Sequence, residues 1–244
     1  MTFLAILPCV VLFIIVWRSD KIEKEPPQLL LKLLIGGALT IISAMIIGLI
    51  GTAILNALVV EGSLLYLIID NFIVTALVEE GGKYFVLKRL TWRSPAFDYT
   101  FDAVVYAVTV SLGFAVVENI LYLSGATVGL AFMRGILSVP GHAMDGVFMG
   151  YFYGIAKRCE YRGDFRSMKL NLKLALIVPM LLHGFYDFCL STGSDVFIAI
   201  FFIFEIIVTV VTIIKFRKLS KQDAPFISKE ETFFESEDQR MKRF

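Results

Sequence analysis

Ionisable side chains occur at several positions inside long apolar stretches of this sequence, where residues of this kind are rare. The first group is Glu79, Glu80 and Lys83, and the i,i+4 spacing of Glu79 and Lys83 places these two on one face of a helix. Lys83 is therefore expected to neutralise one carboxylate and to leave the other to act as a base. Two adjacent glycines in this group allow a substrate or another backbone to approach closely.

Both histidines of the chain also lie in apolar stretches. His183 and Asp187 are spaced i,i+4, so the carboxylate is expected to orient the imidazole ring. His142 directly follows a Pro-Gly pair, where a broken helix exposes backbone groups to a cavity. Glu118, with Asn119 beside it, lies near the end of another apolar stretch.

Three more ionisable residues lie within the apolar stretches. Asp145 is interpreted as a supporting or packing residue, Arg134 as the partner of an acidic side chain, and Glu205 as structural. A charged side chain at the centre of a bilayer costs about 2.5–3.5 kcal/mol on insertion scales. These groups must therefore face one another or a wet cavity, and residues of this kind inside a membrane indicate a functional site.

The chemistry that suits such a set is the activation of water. One carboxylate takes a proton from water, and a second group stabilises the oxyanion. The set also suits zinc, because two histidines and one glutamate form a known zinc ligand set with another glutamate as base. The histidines come from different segments, so local spacing gives no metal signature. A proton- or cation-coupled transporter that uses the same acids is the alternative, and an inactive chaperone or receptor for single-span proteins is a third possibility.

The composition indicates which environment must hold these residues. The chain has 244 residues, of which 57% are hydrophobic and 18% charged, and its mean hydropathy is +0.77. A soluble domain is about half apolar and about a quarter charged. A soluble globular enzyme, a disordered chain and a secreted disulfide scaffold are excluded, and the net charge of +1 gives no indication of a nucleic-acid partner.

Seven apolar runs predict an all-α, polytopic membrane protein with about seven transmembrane helices around an intramembrane polar cavity. The runs cover residues 2–17, 29–55, 63–87, 100–123, 127–156, 170–191 and 195–214. The fifth run is expected to break or kink near Pro140. Gly146, Gly150 and Gly154 recur on one helix face, which predicts close helix packing.

The distribution of lysine and arginine predicts the topology. Basic residues follow the first, third, fifth and seventh runs, and the connections near 56–62, 124–126 and 192–194 contain none. By the positive-inside rule the N-terminus lies outside and the C-terminus in the cytoplasm. Residues 1–218 are expected to form the transmembrane domain, and residues 219–244 a flexible cytoplasmic tail.

Four motifs resemble, in order and spacing, those of the PrsW membrane proteases. They are Glu79-Glu80-x-x-Lys83, the stretch from Gly113 to Tyr122 that contains Glu118-Asn119, Val139-Pro140-Gly141-His142-Ala143, and His183-Gly184-Phe185-Tyr186-Asp187. The similarity covers roughly residues 70–190. This family is distantly related to the CAAX prenyl endopeptidases, in which a Glu-Glu motif supplies the base. Glu118 stands where those enzymes carry a histidine, which leaves a metal and a glutamate mechanism open.

The resemblance implies an intramembrane endopeptidase in the cell membrane of a Gram-positive bacterium. Its expected partners are the lipid bilayer and a single-span, membrane-anchored anti-sigma factor, which it cleaves at site 1 in a cascade that releases a sigma factor. The implied catalytic residues are Glu79, Glu80, Glu118, His142, His183 and Asp187, supported by Lys83, Asn119 and Asp145.

Within this set Glu79 is expected to be the water-activating base, and Glu80 is a near-equal candidate. His142 and His183 are expected to stabilise the oxyanion or to bind zinc, with Glu118 as a third ligand. Zinc is therefore the one cofactor that this set of residues is expected to bind, if the mechanism uses a metal. Lys83 tunes the glutamate pair.

Overall fold

The computed structural model describes residues 2–123 and 127–227, and helices dominate both ranges. The elements are α1 (Thr2–Ser19), α2 (Pro27–Leu58), α3 (Leu64–Ile69), a π-helical segment (Asp70–Ala76), α4 (Leu77–Thr91), α5 (Asp102–Leu123), α6 (Val128–Ile136), α7 (Ser138–Tyr161), α8 (Phe165–Ser191) and α9 (Asp195–Lys221). No strand longer than an isolated bridge occurs in these ranges. The protein is therefore all-α, as predicted.

All seven predicted apolar runs are helical. The third run corresponds to α3, the π-helical segment and α4 in succession, and the fifth is divided between α6 and α7. Within the described residues, the four helices α2, α5, α8 and α9 are long and apolar enough to cross a membrane. The protein is thus a polytopic membrane protein, while the full number of crossings stays a prediction.

The predicted break near Pro140 is confirmed, and it lies at Leu137. Leu137 has φ −108° and ψ −61°, and it separates α6 from α7. Pro140 is the third residue of α7. A proline is tolerated in the first turn of a helix, because the N–H that it lacks has no partner there. The proline therefore marks the start of a new helix, and the break precedes it.

Helix α5 lies at the centre of the protein. Every side chain from Phe101 to Ala115 is buried, and α2, α7 and α1 pack around it. By contrast, α2 and α9 expose rows of large apolar side chains, among them Ile46, Leu49, Ile206 and Ile207. Surfaces of this kind suit contact with lipid tails. Most of the buried polar residues, by contrast, lie on α4, α5, α7 and α8.

Glycines allow α2 and α7 to approach α5 closely. A Cβ atom on Gly37 would overlap the carbonyl oxygen of Val110, and one on Gly150 would lie 2.6 Å from Cα of Val104. Such contacts between backbones are typical of helix packing in membranes. The close packing predicted for Gly146, Gly150 and Gly154 is confirmed, and α5 is the helix against which all three pack.

The C-terminal ends of α1, α4, α7 and α9 carry basic residues and meet on one side of the protein, which we call the basic end. There Lys157 Nζ donates to the Trp92 carbonyl at 2.9 Å, and Ser220 Oγ donates to the Ser19 carbonyl at 2.5 Å. The first residues of the predicted tail belong to this side, because α9 continues to Lys221 and the Asp223 carboxylate accepts from the Phe101 N–H at 2.8 Å. The rest of that tail, residues 228–244, lies outside the described residues.

Candidate active site

The Glu-Glu-Lys group lies on α4, directly after the π-helical segment. Glu80 and Lys83 are both fully buried, and Lys83 Nζ lies 2.6 Å from Glu80 Oε1. Lys83 Nζ is 3.9 Å from Glu79 Oε2, which is too far for a hydrogen bond. Lys83 therefore forms its close ion pair with Glu80, at i,i+3, and not with Glu79, at i,i+4. Glu79 is the carboxylate that Lys83 does not bind directly.

His183 on α8 lies between three carboxylates. Its Nδ1 is 3.0 Å from Glu80 Oε1, and its Nε2 is 3.1 Å from Asp187 Oδ2. The predicted contact of Asp187 with His183 is therefore present. Glu79 Oε2 is 3.8 Å from the same Nε2. Both ring nitrogens thus face carboxylate oxygens, an arrangement that fixes the orientation of the imidazole.

His142 on α7 connects Lys83 with Glu118. Its Nδ1 is 3.1 Å from Lys83 Nζ, and its Nε2 is 2.9 Å from Glu118 Oε2. A lysine ammonium can only donate a hydrogen bond, so Nδ1 of His142 accepts from Lys83. Nε2 of His142 then carries the proton and donates a hydrogen bond to Glu118. The rings of His142 and His183 are 5.3 Å apart, so α7 and α8 bring the two histidines to the same site.

Arg134 on α6 pairs with the end of α5. Its Nη2 lies 2.7 Å from Glu118 Oε2, its Nε donates to Asn119 Oδ1 at 2.8 Å, and its guanidinium lies 4.0 Å from the ring centre of Tyr122. The acidic partner predicted for Arg134 is thereby confirmed. Glu118 is held by both Arg134 and His142, and this fixes one wall of the site.

The residues that could hold a metal ion are Glu80, His142, Asp145 and His183, whose ligand atoms all lie within 4.8 Å of one another. The sequence favoured Glu118 as the third ligand, but Glu118 lies on the Arg134 side of His142 and outside this group. Nitrogen and carboxylate donors are a set that zinc accepts. In addition, Oε2 of Glu80 is buried and has no hydrogen-bond partner among the described residues, so the residues fit a divalent cation.

A cavity of about 340 Å³ adjoins this cluster. Its polar lining consists chiefly of Glu79, Glu118, His142, Asp145, His183, Asp187 and Glu205, and Glu80 and Lys83 lie behind this wall. In the described part of the chain, six carboxyl groups surround the cluster and cavity, and the permanent cations beside them are Lys83 and Arg134. This excess of carboxyl groups requires bound protons or a cationic ligand.

Two cavity residues were assigned other roles from the sequence. Glu205 on α9 was interpreted as structural, yet it lines the cavity, as does Tyr186. Asp145 was interpreted as supporting, and it belongs to the group that could hold a metal. The one signal for Glu205 is the presence of an acid in an otherwise apolar run, which carries no information about the direction in which it points.

Comparisons with known proteins agree with this site. The family model described as PrsW family intramembrane metalloprotease matches residues 25–215. The protein called Protease PrsW from Oceanobacillus iheyensis is 34% identical over 217 residues, which cover 88% of this chain and 94% of that protein. The protein of the same name from Bacillus subtilis is 45% identical over 116 residues, 48% of this chain and 51% of that protein. No solved structure matches this chain.

Proposed function

Because the chain belongs to the PrsW family of intramembrane metalloproteases, we propose that it makes the site-1 cut in a single-span, membrane-anchored anti-sigma factor. The peptidase class and the membrane location follow from the family. The observation that supports the proposal is the buried cluster of glutamates, histidines and aspartates beside a cavity of about 340 Å³. Apolar residues on its rim, Leu130, Met133 and Phe204, suit a transmembrane segment of a substrate.

Glu79 is the general base in this mechanism. Its carboxylate lines the cavity, and its Oε2 has no hydrogen-bond partner among the described residues. Glu80 is a weaker candidate for the base, since Lys83 and His183 both bind its Oε1. Glu79 takes a proton from a water molecule as the water oxygen attacks the scissile carbonyl carbon, and the proton then passes to the departing amine nitrogen.

His183 stabilises the charge that develops on the scissile carbonyl oxygen. Its Nε2 lies beside Glu79 and contacts Asp187 Oδ2 at 3.1 Å, which orients the ring, and the Nε2–H is shared with the scissile oxygen as the charge develops. Glu80 fixes the other nitrogen of the ring, and Lys83 in turn neutralises Glu80. The pair Lys83–Glu80 thus positions His183 without contacting the substrate.

The residues that would hold zinc are Glu80, His142, Asp145 and His183. Zinc bound there would polarise the scissile carbonyl and lower the pKa of water toward about 7. His142 would have to exchange its contact with Lys83 for the metal, because Nδ1 of His142 accepts from Lys83. Glu118 and Arg134 then keep His142 in place through its other nitrogen.

The orientation that we propose has the N-terminus outside and the basic end in the cytoplasm. The meeting of the basic ends of α1, α4, α7 and α9 on one side supports it, because the positive-inside rule places such ends in the cytoplasm. The loops at residues 59–63 and 192–194, which carry no lysine or arginine, lie at the opposite ends of their helices.

The test of the function is cleavage of a tagged, single-span anti-sigma factor by the full chain in proteoliposomes. Glu79→Gln keeps the shape of the side chain and removes the base, so we expect cleavage to fall by about 10²–10⁴-fold. Glu61→Gln, in an exposed loop, is the matched control and should cleave like the unaltered protein. Full activity of Glu79→Gln would refute the role of Glu79, and absence of cleavage by the unaltered protein would refute the substrate class.

A further inference from the structure

A second cavity, of about 730 Å³, lies at the basic end between α5, α7 and α9. Helices α7 and α9 run parallel beside it, because Met144 contacts Thr209 and Tyr151 contacts Lys215. This cavity is separate from the active site, whose lining residues it does not share.

The lining of this cavity changes from apolar to cationic along the helices. Toward the middle of the protein the lining includes Ile155, Val211 and Ile214. Toward the basic end it includes Arg158 and Lys218. Seven residues separate Val211 from Lys218, which corresponds to about 10 Å along a helix. An apolar part and a cationic part at this spacing match the acyl chain and the headgroup of a membrane lipid.

The cations of this cavity lack carboxylate partners. Among the residues that the structure describes, no acid lies within ion-pair distance of Arg158, Lys215 or Lys218, and none lines the cavity. The nearby acid Glu160 already binds Lys157 at 2.7 Å, and Asp223 accepts backbone and side-chain hydrogen bonds from residues 100 and 101. The cavity therefore carries a net positive charge that is available to an anion.

Lys215 lies at the boundary between the two parts. Its Nζ is 3.5 Å from the ring centre of Tyr151 and 6.0 Å from that of Phe148, so its charge lies over aromatic surface at the wall of the cavity. A tyrosine with a neighbouring lysine is typical of the level at which lipid headgroups lie.

We propose that this cavity binds one anionic phospholipid, with its phosphate between Arg158, Lys215 and Lys218 and one acyl chain against Ile155 and Ile214. A phospholipid fits better than a soluble phosphate, because the lining combines an apolar part with the cationic part. It fits better than an acidic peptide, because only one part of the lining is charged. The bound lipid bridges α7, which carries His142, and α9, which carries Glu205.

Native mass spectrometry of the full chain, released from phosphatidylcholine nanodiscs that contain phosphatidylglycerol, tests this site. We expect one phosphatidylglycerol to be retained in preference to phosphatidylcholine. Arg158→Gln combined with Lys218→Gln should weaken that retention by about tenfold to thirtyfold, since each cation near the surface contributes about 1 kcal/mol. The matched control is Lys169→Gln with Lys173→Gln, which removes the same charge from exposed positions on α8.

Ile214→Trp changes no charge and fills the apolar part of the cavity, so it should also lower the retention of phosphatidylglycerol. Equal retention of both lipids, or equal loss in the two double variants, would overturn the proposal. Displacement of the lipid by glycerol phosphate would show a headgroup-only anion site. Stronger retention after removal of residues 228–244 would show that this segment is the occupant, and either result would overturn the proposal.

Discussion

Lys83 is the residue on which the charge balance of the active site depends. Its ammonium is fully buried, 2.6 Å from Glu80 Oε1, 3.1 Å from His142 Nδ1 and 4.1 Å from the ring centre of Phe114. Glu80 and His142 also belong to the group that could hold a metal. A metal ion would therefore compete with the ammonium for His142 Nδ1, whereas Glu80 can offer the metal its Oε2, which has no hydrogen-bond partner among the described residues.

Two carboxylate variants distinguish the ligand set found in the structure, which includes Asp145, from the set expected from the sequence, which includes Glu118. If Glu80, His142, Asp145 and His183 hold zinc, Asp145→Asn should lose the metal while Glu118→Gln keeps it. The measurement is the metal content of purified protein by mass spectrometry, with about one equivalent of zinc expected in the unaltered chain. His142→Ala and His183→Ala should both purify without metal.

Two outcomes would contradict this assignment. Loss of zinc in Glu118→Gln together with its retention in Asp145→Asn would favour the set of His142, His183 and Glu118. Protein that contains no metal and cleaves at full rate in a chelator would favour the glutamate mechanism. Both variants remove one carboxylate without changing side-chain size, so they form a matched pair.

The chemistry of the site could be predicted from residue types, but the orientation of each side chain could not. Glu79, Glu80, Lys83, His142 and His183 are conspicuous because ionisable groups are rare in apolar runs. Helices α5 and α9 are apolar on every side, so their sequences do not indicate which face points inward. The place of Glu205 at the cavity therefore follows only from tertiary packing.

The π-helical segment is the element that positions the glutamate pair. Residues Asp70–Ala76 precede α4, and they contain Asn71, whose side chain donates to the Leu67 carbonyl and accepts from Ser191 Oγ at 3.0 Å. A π-helical turn changes the rotation of the helix that follows it, and such turns often occur at functional sites. Because no local residue pattern specifies this turn, the sequence predicted a plain helix here.

Helix α6 closes one side of the cavity and is joined to α5 through Arg134. Leu130 and Met133 line the cavity from this helix, and other large side chains of α6, such as Phe132, are exposed. The Arg134 contacts with Glu118 and Asn119 hold α6 against α5. The break at Leu137, close to the predicted position near Pro140, gives α6 its own direction relative to α7.

Two glycines on α2 provide a matched test of helix packing. A Cβ on Gly37 would overlap the Val110 carbonyl oxygen, whereas a Cβ on Gly48 would meet no atom within 4 Å. Gly37→Ala should therefore destabilise the protein by about 1–3 kcal/mol, the usual cost of overpacking. Thermal unfolding in detergent measures the effect.

Gly48→Ala is the control for that experiment, and it should leave the melting temperature unchanged or slightly raised, because alanine favours a helix interior over glycine. Equal melting temperatures for Gly37→Ala and Gly48→Ala would mean that α2 and α5 are not packed as closely as described.

At the scale of the whole molecule, the topology can be tested with reporter fusions. Reporters placed after residues 60 and 193 should be active outside, and those after residues 22, 92 and 163 in the cytoplasm, because the lysine and arginine clusters alternate between the two sides. A cytoplasmic signal at residue 60 or 193 would contradict the proposed orientation. It would also move the second cavity to the outer surface.

The basic end joins parts of the chain that are far apart in sequence, and the loop between α1 and α2 brings two buried carboxyl groups, Asp20 and Glu25, to it. Glu25, in the loop between α1 and α2, accepts a hydrogen bond from the Tyr106 hydroxyl on α5. Burial raises the pKa of Glu25 from the ordinary 4.5 to about 7, and burial raises the pKa of Asp20 to about 6. The folded protein therefore holds protons in this loop that the unfolded chain releases.

The sign of the pH dependence follows from these raised pKa values. Between pH 4.5 and about 7 the folded state binds more protons at Glu25 than the unfolded state, so stability is greatest at the low end of this range and is lost as the pH rises. Glu25→Gln keeps a neutral side chain that accepts from Tyr106. We therefore expect it to melt at a higher temperature than the unaltered protein at pH 8 and with a weaker dependence on pH.

The matched control is Glu23→Gln, which removes a carboxylate from an exposed position two residues away and should keep the pH dependence of the unaltered protein. Melting temperatures of all three proteins, measured in one detergent from pH 5 to pH 8, test whether Glu25 causes this pH dependence. The active-site carboxyl groups contribute equally to all three, so the difference between the curves reports on Glu25 together with the Asp102 carboxyl group that it contacts. If the three curves are parallel, Glu25 does not exchange a proton on unfolding, and the loop is not packed against α5 as described.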